Sequence, residues 1–133
     1  MINKILTKAE ARTYSPLTLA FLGDSYYELM VRQRITLEHN MSTAKLHRAA
    51  VERVRASFQA SAAECITELL TEEEAEILRR GRNATGSVPR SSNPAEYRKA
   101  TALEALFGWL LLIGETNRAE ELFEVIYYSQ ESI

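Results

Sequence analysis

Five polar punctuation marks cut this chain into helix-length pieces, and they constrain its fold more than any other feature. Ser15-Pro16 offers an N-cap followed by proline at the first helical position, where a backbone N–H is not needed. It predicts a helix running to about Arg34. Ser42 can cap a second helix, along which Leu46, Ala49, Ala50, Val54 and Phe58 recur at helical spacing. A break or bend is expected near residues 58–62, before Ile66, Leu69 and Leu70. Thr71-Glu72-Glu73-Glu74 is a capping box, and Gly81 is the expected stop after Leu78-Arg79-Arg80. Asn93-Pro94-Ala95-Glu96 opens a helix that Gly114 ends, and Thr116 is expected to cap a last one through Leu122, Phe123, Ile126 and Tyr127. Glycine and proline number only five and three in 133 residues, no Asn-Gly or Asp-Gly hairpin signal occurs, and β-branched runs are few. The expected fold is all-α, about six to seven helices in a single domain spanning 1–133.

At 46% apolar residues the chain can bury a core without disulfides or structural metal. Cys65, the single cysteine, stands in an alanine-rich segment and reads as a small buried hydrophobe in a reducing compartment. The start, Met1-Ile2-Asn3-Lys4-Ile5-Leu6, lacks an apolar run of signal-peptide length, and the apolar stretch at Leu110–Ile113 is too short to span a bilayer. A cytoplasmic protein without a membrane partner is expected. Residues 81–93 form the only long irregular stretch, and such loops tend to be functional or disordered.

A net charge of −2 argues by itself against a nucleic-acid partner. The distribution reverses that impression. Glu64, Glu68, Glu72, Glu73, Glu74 and Glu76 form an acidic block, and from Glu115 onward Arg118 is the only basic residue. By contrast, residues 79–99 hold Arg79, Arg80, Arg82, Arg90, Arg98 and Lys99 against Glu96 alone. Residues 32–55 hold Arg32, Arg34, Lys45, Arg48, Arg53 and Arg55 against Glu38 and Glu52. Solvated helix faces are the plain alternative. Arg79 and Arg80 also suit a helix C-terminus, which does not account for Arg82 or Arg90.

Two acids occupy positions where acids are costly. The one aspartate, Asp24, lies in Leu19-Ala20-Phe21-Leu22-Gly23-Asp24-Ser25-Tyr26-Tyr27, and Gly23 weakens that helix by roughly 1 kcal/mol relative to alanine. Glu104 recurs in the same setting, since every other residue from Ala102 to Ile113 is apolar or glycine. A carboxylate on an apolar face needs a partner. Each acid can be satisfied privately by arginine or backbone donors; a shared divalent cation explains both at once. Magnesium takes hard oxygen ligands, commonly one or two carboxylates, and fills its octahedron with waters and phosphate oxygens. The access those waters need is expected from the absent side chains of Gly23 and Gly108. Other chemistries lack residues: His39 and His47 have no zinc-ligand spacing with Cys65, no phosphate-binding glycine loop is present, and no nucleophile elbow occurs.

Phe21-Leu22-Gly23-Asp24 resembles the signature of the ribonuclease III catalytic domain, and Lys99-Ala100-Thr101-Ala102-Leu103-Glu104-Ala105-Leu106 resembles its second acidic motif. Asn40-Met41-Ser42 with Leu46-His47-Arg48-Ala49-Ala50-Val51 resembles the family's intermediate helix. Arg80-Gly81-Arg82-Asn83-Ala84 resembles the basic loop of the mini-ribonuclease III branch, which consists of the catalytic domain without an appended double-stranded-RNA-binding domain. Larger members carry extra glutamates where this chain has Leu17 and Ala20, and an aspartate where it has Thr101. These departures favour the short branch and a leaner acidic site.

The resemblance implies a homodimeric endoribonuclease cutting double-stranded RNA with magnesium, for which manganese can substitute. Asp24 and Glu104 would be metal ligands and catalytic residues. Glu28, one turn on, would support them through water or as a proton acceptor, and Glu38 would match a further family acid at the dimer interface. Tyr26 and Tyr27 are candidates for that interface, with core packing the expected role of at least one of them. RNA would be held by Arg79, Arg80, Arg82, Asn83, Arg90, Arg98 and Lys99, with Lys45 and Arg48, through the phosphate and 2′-hydroxyl contacts by which duplex RNA is read. The short branch is associated with maturation of large-subunit (23S) ribosomal RNA, which makes pre-ribosomal RNA the implied substrate. The alternatives are a non-catalytic helical RNA- or protein-binding module of the same fold, or a dimeric regulator reading duplex DNA.

Overall fold

The computed structural model describes residues 4–84 and 86–131, with the side chains of Gln130 and Glu131 excepted; Thr85 of the long loop lies outside them, as do both ends of the expected 1–133 domain. Seven α-helices and one short 3₁₀ turn make up the described secondary structure. They are α1 (Lys8–Arg12), α2 (Pro16–Glu38), α3 (Thr43–Val54), α4 (Ala56–Ile66), the 3₁₀ turn Thr67–Leu69, α5 (Glu72–Arg82), α6 (Pro94–Leu112) and α7 (Thr116–Glu131).

The caps behave as their chemistry dictates. The Ser15 hydroxyl accepts from Leu17 and Thr18, Ser42 from Lys45, Thr71 from Glu74, and the Asn93 side chain from Ala95 and Glu96. The α6 C-terminus closes as a Schellman motif: Gly114 takes φ +76°, its N–H donates to Leu111 O, and Glu115 N–H donates to Leu110 O. Helix α1, which the sequence reading did not anticipate, begins with a complete capping box between Thr7 and Glu10.

Three boundaries differ from expectation. Helix α2 continues to Glu38, four residues beyond Arg34. The break expected at 58–62 falls at Arg55, whose extended backbone (φ −69°, ψ 156°) ends α3 and starts α4 without a side-chain cap, so no residue type marks it. Thr116 is the first residue of α7 rather than its cap; the Glu115 carbonyl accepts from Ala119.

Gly81 does not stop α5. The helix runs through it to Arg82, because a Cβ there would stand 2.8 Å from Ala102 Cα and 2.9 Å from Ala105 Cβ. Its function is close packing against α6. That helix is the axis of the molecule: Ala100, Ala102, Leu103 and the whole run Ala105–Leu110 are buried, as expected for a helix apolar on nearly all sides. Helices α2, α4, α5 and α7 pack around it, and α3 lies on α2 and α4.

The α2–α6 crossing is a backbone contact. A Cβ on Gly23 would sit 1.6 Å from the Glu104 carbonyl oxygen, and one on Gly108 would sit 1.9 Å from that of Leu19. Both glycines are buried. This corrects the expectation that they thin the helices to admit water: they let the two helices touch.

Replacing either glycine forces the axes apart. Gly23→Ala or Gly108→Ala should lower the unfolding free energy by about 3 kcal/mol or more in denaturant titrations, despite alanine's better helix propensity. Gly86→Ala, whose methyl would meet Leu17 at an ordinary 3.7 Å, should change it by less than about 0.5 kcal/mol.

Candidate functional site

The crossing places Asp24, the residue after Gly23, beside Glu104, whose carbonyl Gly23 touches. Asp24 is exposed and Glu104 is partly buried. The Glu104 carboxyl is pushed up to about 8, first by burial and then by the hydrogen bond and negative charge of Asp24, with the Gln59 side-chain amide acting in opposition. The two acids thus share one site, and the negative charge of Asp24 makes Glu104 harder to ionise.

No cationic side chain relieves that repulsion in the contacts Glu104 makes. The contrast with Glu74 is instructive. Glu74 is also buried, yet Arg118 grips its two oxygens at 2.9 Å each, donates to Leu69 O at 2.7 Å, and the Thr71 N–H completes the set. Arg118 is the lone base of the acidic C-terminal stretch, and its partner lies in the other acidic block. Glu74 is a satisfied structural acid; the Asp24–Glu104 pair is not.

The chemistry of this donor set suits a hard divalent cation. Two carboxylates in contact would be drawn together by it, and an opposite charge there would favour the ionised form of Glu104 that burial and Asp24 oppose. Among the described residues no group of three or more His, Cys, Asp or Glu side chains converges to form a fuller cage. Asp24 and Glu104 would therefore hold such an ion by themselves and leave its other positions to water and phosphate.

Glu28 lies one turn beyond Asp24, half-buried, with Arg32 at 3.5 Å. Glu38 is at the far end of α2, roughly 21 Å along the axis from Asp24 at 1.5 Å per residue; it accepts a 2.8 Å hydrogen bond from the Tyr127 hydroxyl. Tyr27 is wholly buried, set edge-on to Phe107 and Phe123, so it takes the core role expected of at least one of the two tyrosines. Tyr26 is half-buried near Phe107. The apolar residues that α2 exposes are Leu17, Phe21, Leu29 and Leu37.

The basic residues separate into groups. Arg82, Asn83, Arg98 and Lys99 line one cavity of about 490 Å³ with Ala84, Gly86 and Ala95. Lys99 also reaches Glu64. Arg80 instead ties α5 to the α1–α2 turn, donating to Arg12 O and Tyr14 O at 3.2 Å each. Arg79 pairs with Glu76 one turn earlier in its own helix. Arg90 stands exposed in the turn Pro89–Ser92, and Lys45 and Arg48 are exposed on α3.

Sequence reasoning missed Gln59, which is 2% exposed on α4. Its signal was present: Gln59, Ala62, Ala63 and Ile66 are the buried face of that helix, so an amide occupies a core position. The misplaced break at 58–62 hid the register.

Comparison with known proteins gives the family and the fold. The Ribonuclease III domain family matches residues 17–115. The chain is 43% identical over 117 residues to a Mini-ribonuclease 3 of Symbiobacterium thermophilum, covering 87% of this chain and 90% of that one. It is 52% identical over 103 residues to a Mini-ribonuclease 3 of Gloeobacter violaceus, covering 77% and 76%. A crystal structure of a Fusobacterium nucleatum protein superposes with TM-score 0.80 at 33% identity, covering 86% of this chain and 94% of that one.

The Glu104 shift has a definite sign. The folded state holds this proton more tightly than the unfolded chain, so stability is fully present below about pH 4.5 and is lost as pH rises toward about 8. In chelator, the melting temperature should fall across that window, and Glu104→Gln should flatten most of the slope; an unchanged slope in the variant would contradict the assignment.

Proposed function

The chain belongs to the ribonuclease III family and is an endoribonuclease, and from that premise we propose that it hydrolyses phosphodiester bonds of double-stranded RNA with magnesium at Asp24 and Glu104. The observation that carries this is the contact of two carboxylates at the α2–α6 crossing without a cationic partner for Glu104. Magnesium, or manganese in its place, supplies when bound an acidified water and neutralises charge building on the scissile phosphate. Asp24 contributes an exposed oxygen donor, Glu104 a partly buried one, and the buried side of the site is closed by α6 and α4. Glu28 stands near enough along α2 to accept a proton through water; its pairing with Arg32 is the competing use of that carboxylate.

The cavity between Arg82, Asn83, Arg98 and Lys99 gathers three cations where RNA phosphates could sit, and Arg90 adds a cation on the same loop. Arg98 and Lys99 lie early in α6, where cations oppose the helix dipole; a phosphate there would offset that cost. Lys45 and Arg48 offer a second contact on α3, while Arg79 and Arg80, held by Glu76 and by backbone carbonyls, contribute less than anticipated. Precursor large-subunit ribosomal RNA is the substrate the short branch implies. Among the described residues no helix is long and apolar enough to cross a membrane, and Cys65 is free; a cytoplasmic setting accommodates such a thiol.

Cleavage requires both strands to be reached, which a homodimer provides. Phe21 is 81% exposed three residues before Asp24 and, with Leu17 and Leu29, forms an apolar strip on α2 suited to a second copy. Glu38 lies at the end of the same helix.

Incubation with structured RNA, with and without magnesium, is the direct test. Asp24→Asn and Glu104→Gln should each lower the cleavage rate by about 10³-fold or more while leaving duplex-RNA binding within about threefold. A stable, fully active Asp24→Asn protein would take Asp24 out of the metal site, a parent that binds duplex RNA without cutting it would favour a non-catalytic binding module, and equal salt-dependent binding to duplex DNA would favour a DNA reader. Separately, Phe21→Glu should convert a dimer to a monomer in sedimentation velocity at micromolar concentration; an unchanged dimer would place the interface elsewhere.

A further inference from the structure

Gln59 and Glu74 are the buried polar or charged side chains among the described residues. Glu74 has an evident purpose in the Arg118 clasp and the Thr71 cap. Gln59 caps no helix and occupies a core position on α4, where an apolar residue of its size would bury more favourably. Its amide meets the Glu104 side chain across the α4–α6 packing.

Burial is graded along this line. Gln59 is 2% exposed, Glu104 partly buried and Asp24 exposed, so the amide lies on the interior side of Glu104 and the second acid on the solvent side. We propose that Gln59 is a positioning residue for the endoribonuclease reaction: its buried amide fixes the Glu104 carboxylate from behind so that this group faces Asp24 and a divalent cation. This rests on the metal-site reading given above.

The residue type fits that role. An arginine or lysine at 59 would neutralise Glu104 as Arg118 neutralises Glu74, and would compete with the cation for the carboxylate. Another acid would add repulsion to a pair already crowded with charge. A leucine would leave Glu104 with no interior donor and free to turn. A neutral amide orients without discharging, which leaves the negative charge available to a metal.

The test uses the full chain with Gln59→Met and Gln59→Leu, which keep bulk and apolarity, and Gln59→Glu, which keeps length but removes the donor. Manganese(II) titration followed by electron paramagnetic resonance reads metal affinity without requiring turnover, and thermal melts report folding. Metal affinity and kcat on duplex RNA should fall by about 10- to 100-fold in the Met and Leu variants, with KM within about twofold and melting temperatures near the parent's. Gln59→Glu should be no better than these. Met and Leu variants with parental manganese affinity and kcat would overturn the proposal. A parent protein that binds manganese in a Gln59-dependent way yet cleaves no duplex RNA would refute the double-stranded-RNA reading and leave Gln59's hold on the metal site standing. A cleaving parent that Gln59→Met matches would do the reverse.

Discussion

Everything in this molecule that bears on chemistry depends on one contact, the direct approach of two helix backbones at Gly23 and Gly108. With side chains at both positions, helices pack with axes 8–10 Å apart, and residues flanking the crossing are held off by the intervening bulk. Here the Leu19 and Glu104 carbonyls stand where Cβ atoms would be. Asp24 and Glu104, far apart in sequence, are brought side by side by the backbone itself rather than by flexible side chains. A site that must hold two like charges together needs such a scaffold, because the charges oppose their own assembly.

Helix α6 makes the scaffold rigid. It receives α2 through Gly23 and Gly108, α5 through Gly81 on Ala102 and Ala105, and α4 through the face that carries Gln59. Small residues therefore line α6 wherever a neighbour comes close, and large ones, Leu103, Leu106, Phe107, Trp109 and Leu110, fill the space between. The same helix carries Arg98 and Lys99 in its first turns and Glu104 farther along, so the surface suited to phosphates and the acidic pair ride on one rigid body. Their spacing does not depend on the loop between α5 and α6.

What was legible in the sequence follows from the range of each interaction. Caps at Ser15, Ser42, Thr71 and Asn93 are local chemistry, complete within four residues, and all four could be read directly. The acids stood out because nothing within their own helices could explain them. Glycine was ambiguous: Gly114 ends a helix through a positive φ, while Gly81 sits inside one, and only the tertiary neighbour Ala102 distinguishes them. Tyr26 and Tyr27 were left open between core and interface for the same reason, since adjacency to Asp24 says nothing about which side of α2 faces Phe107 and Phe123. Arg80 suited a helix C-terminus as well as RNA, and its acceptors, the Arg12 and Tyr14 carbonyls, belong to a turn no local pattern connects to α5.

The two half-hidden acid systems show how a fold separates structure from chemistry. Glu74 and Glu104 each sit against apolar surroundings on a helix. At Glu74 the molecule supplies a bidentate guanidinium, a backbone N–H and a capping hydroxyl, and the charge is used up within the protein. At Glu104 it supplies a second carboxylate and a neutral amide, and burial together with the Asp24 charge holds the Glu104 carboxyl against ionisation. Internal stability alone would favour a third arrangement, an arginine or an apolar residue at either position. The retained charge is a local conflict that the rest of α6 is built tightly enough to tolerate, and conflicts of that kind concentrate where a protein meets something outside itself. What resolves this one must be positive, must accept hard oxygen ligands and must arrive from the solvent side where Asp24 stands.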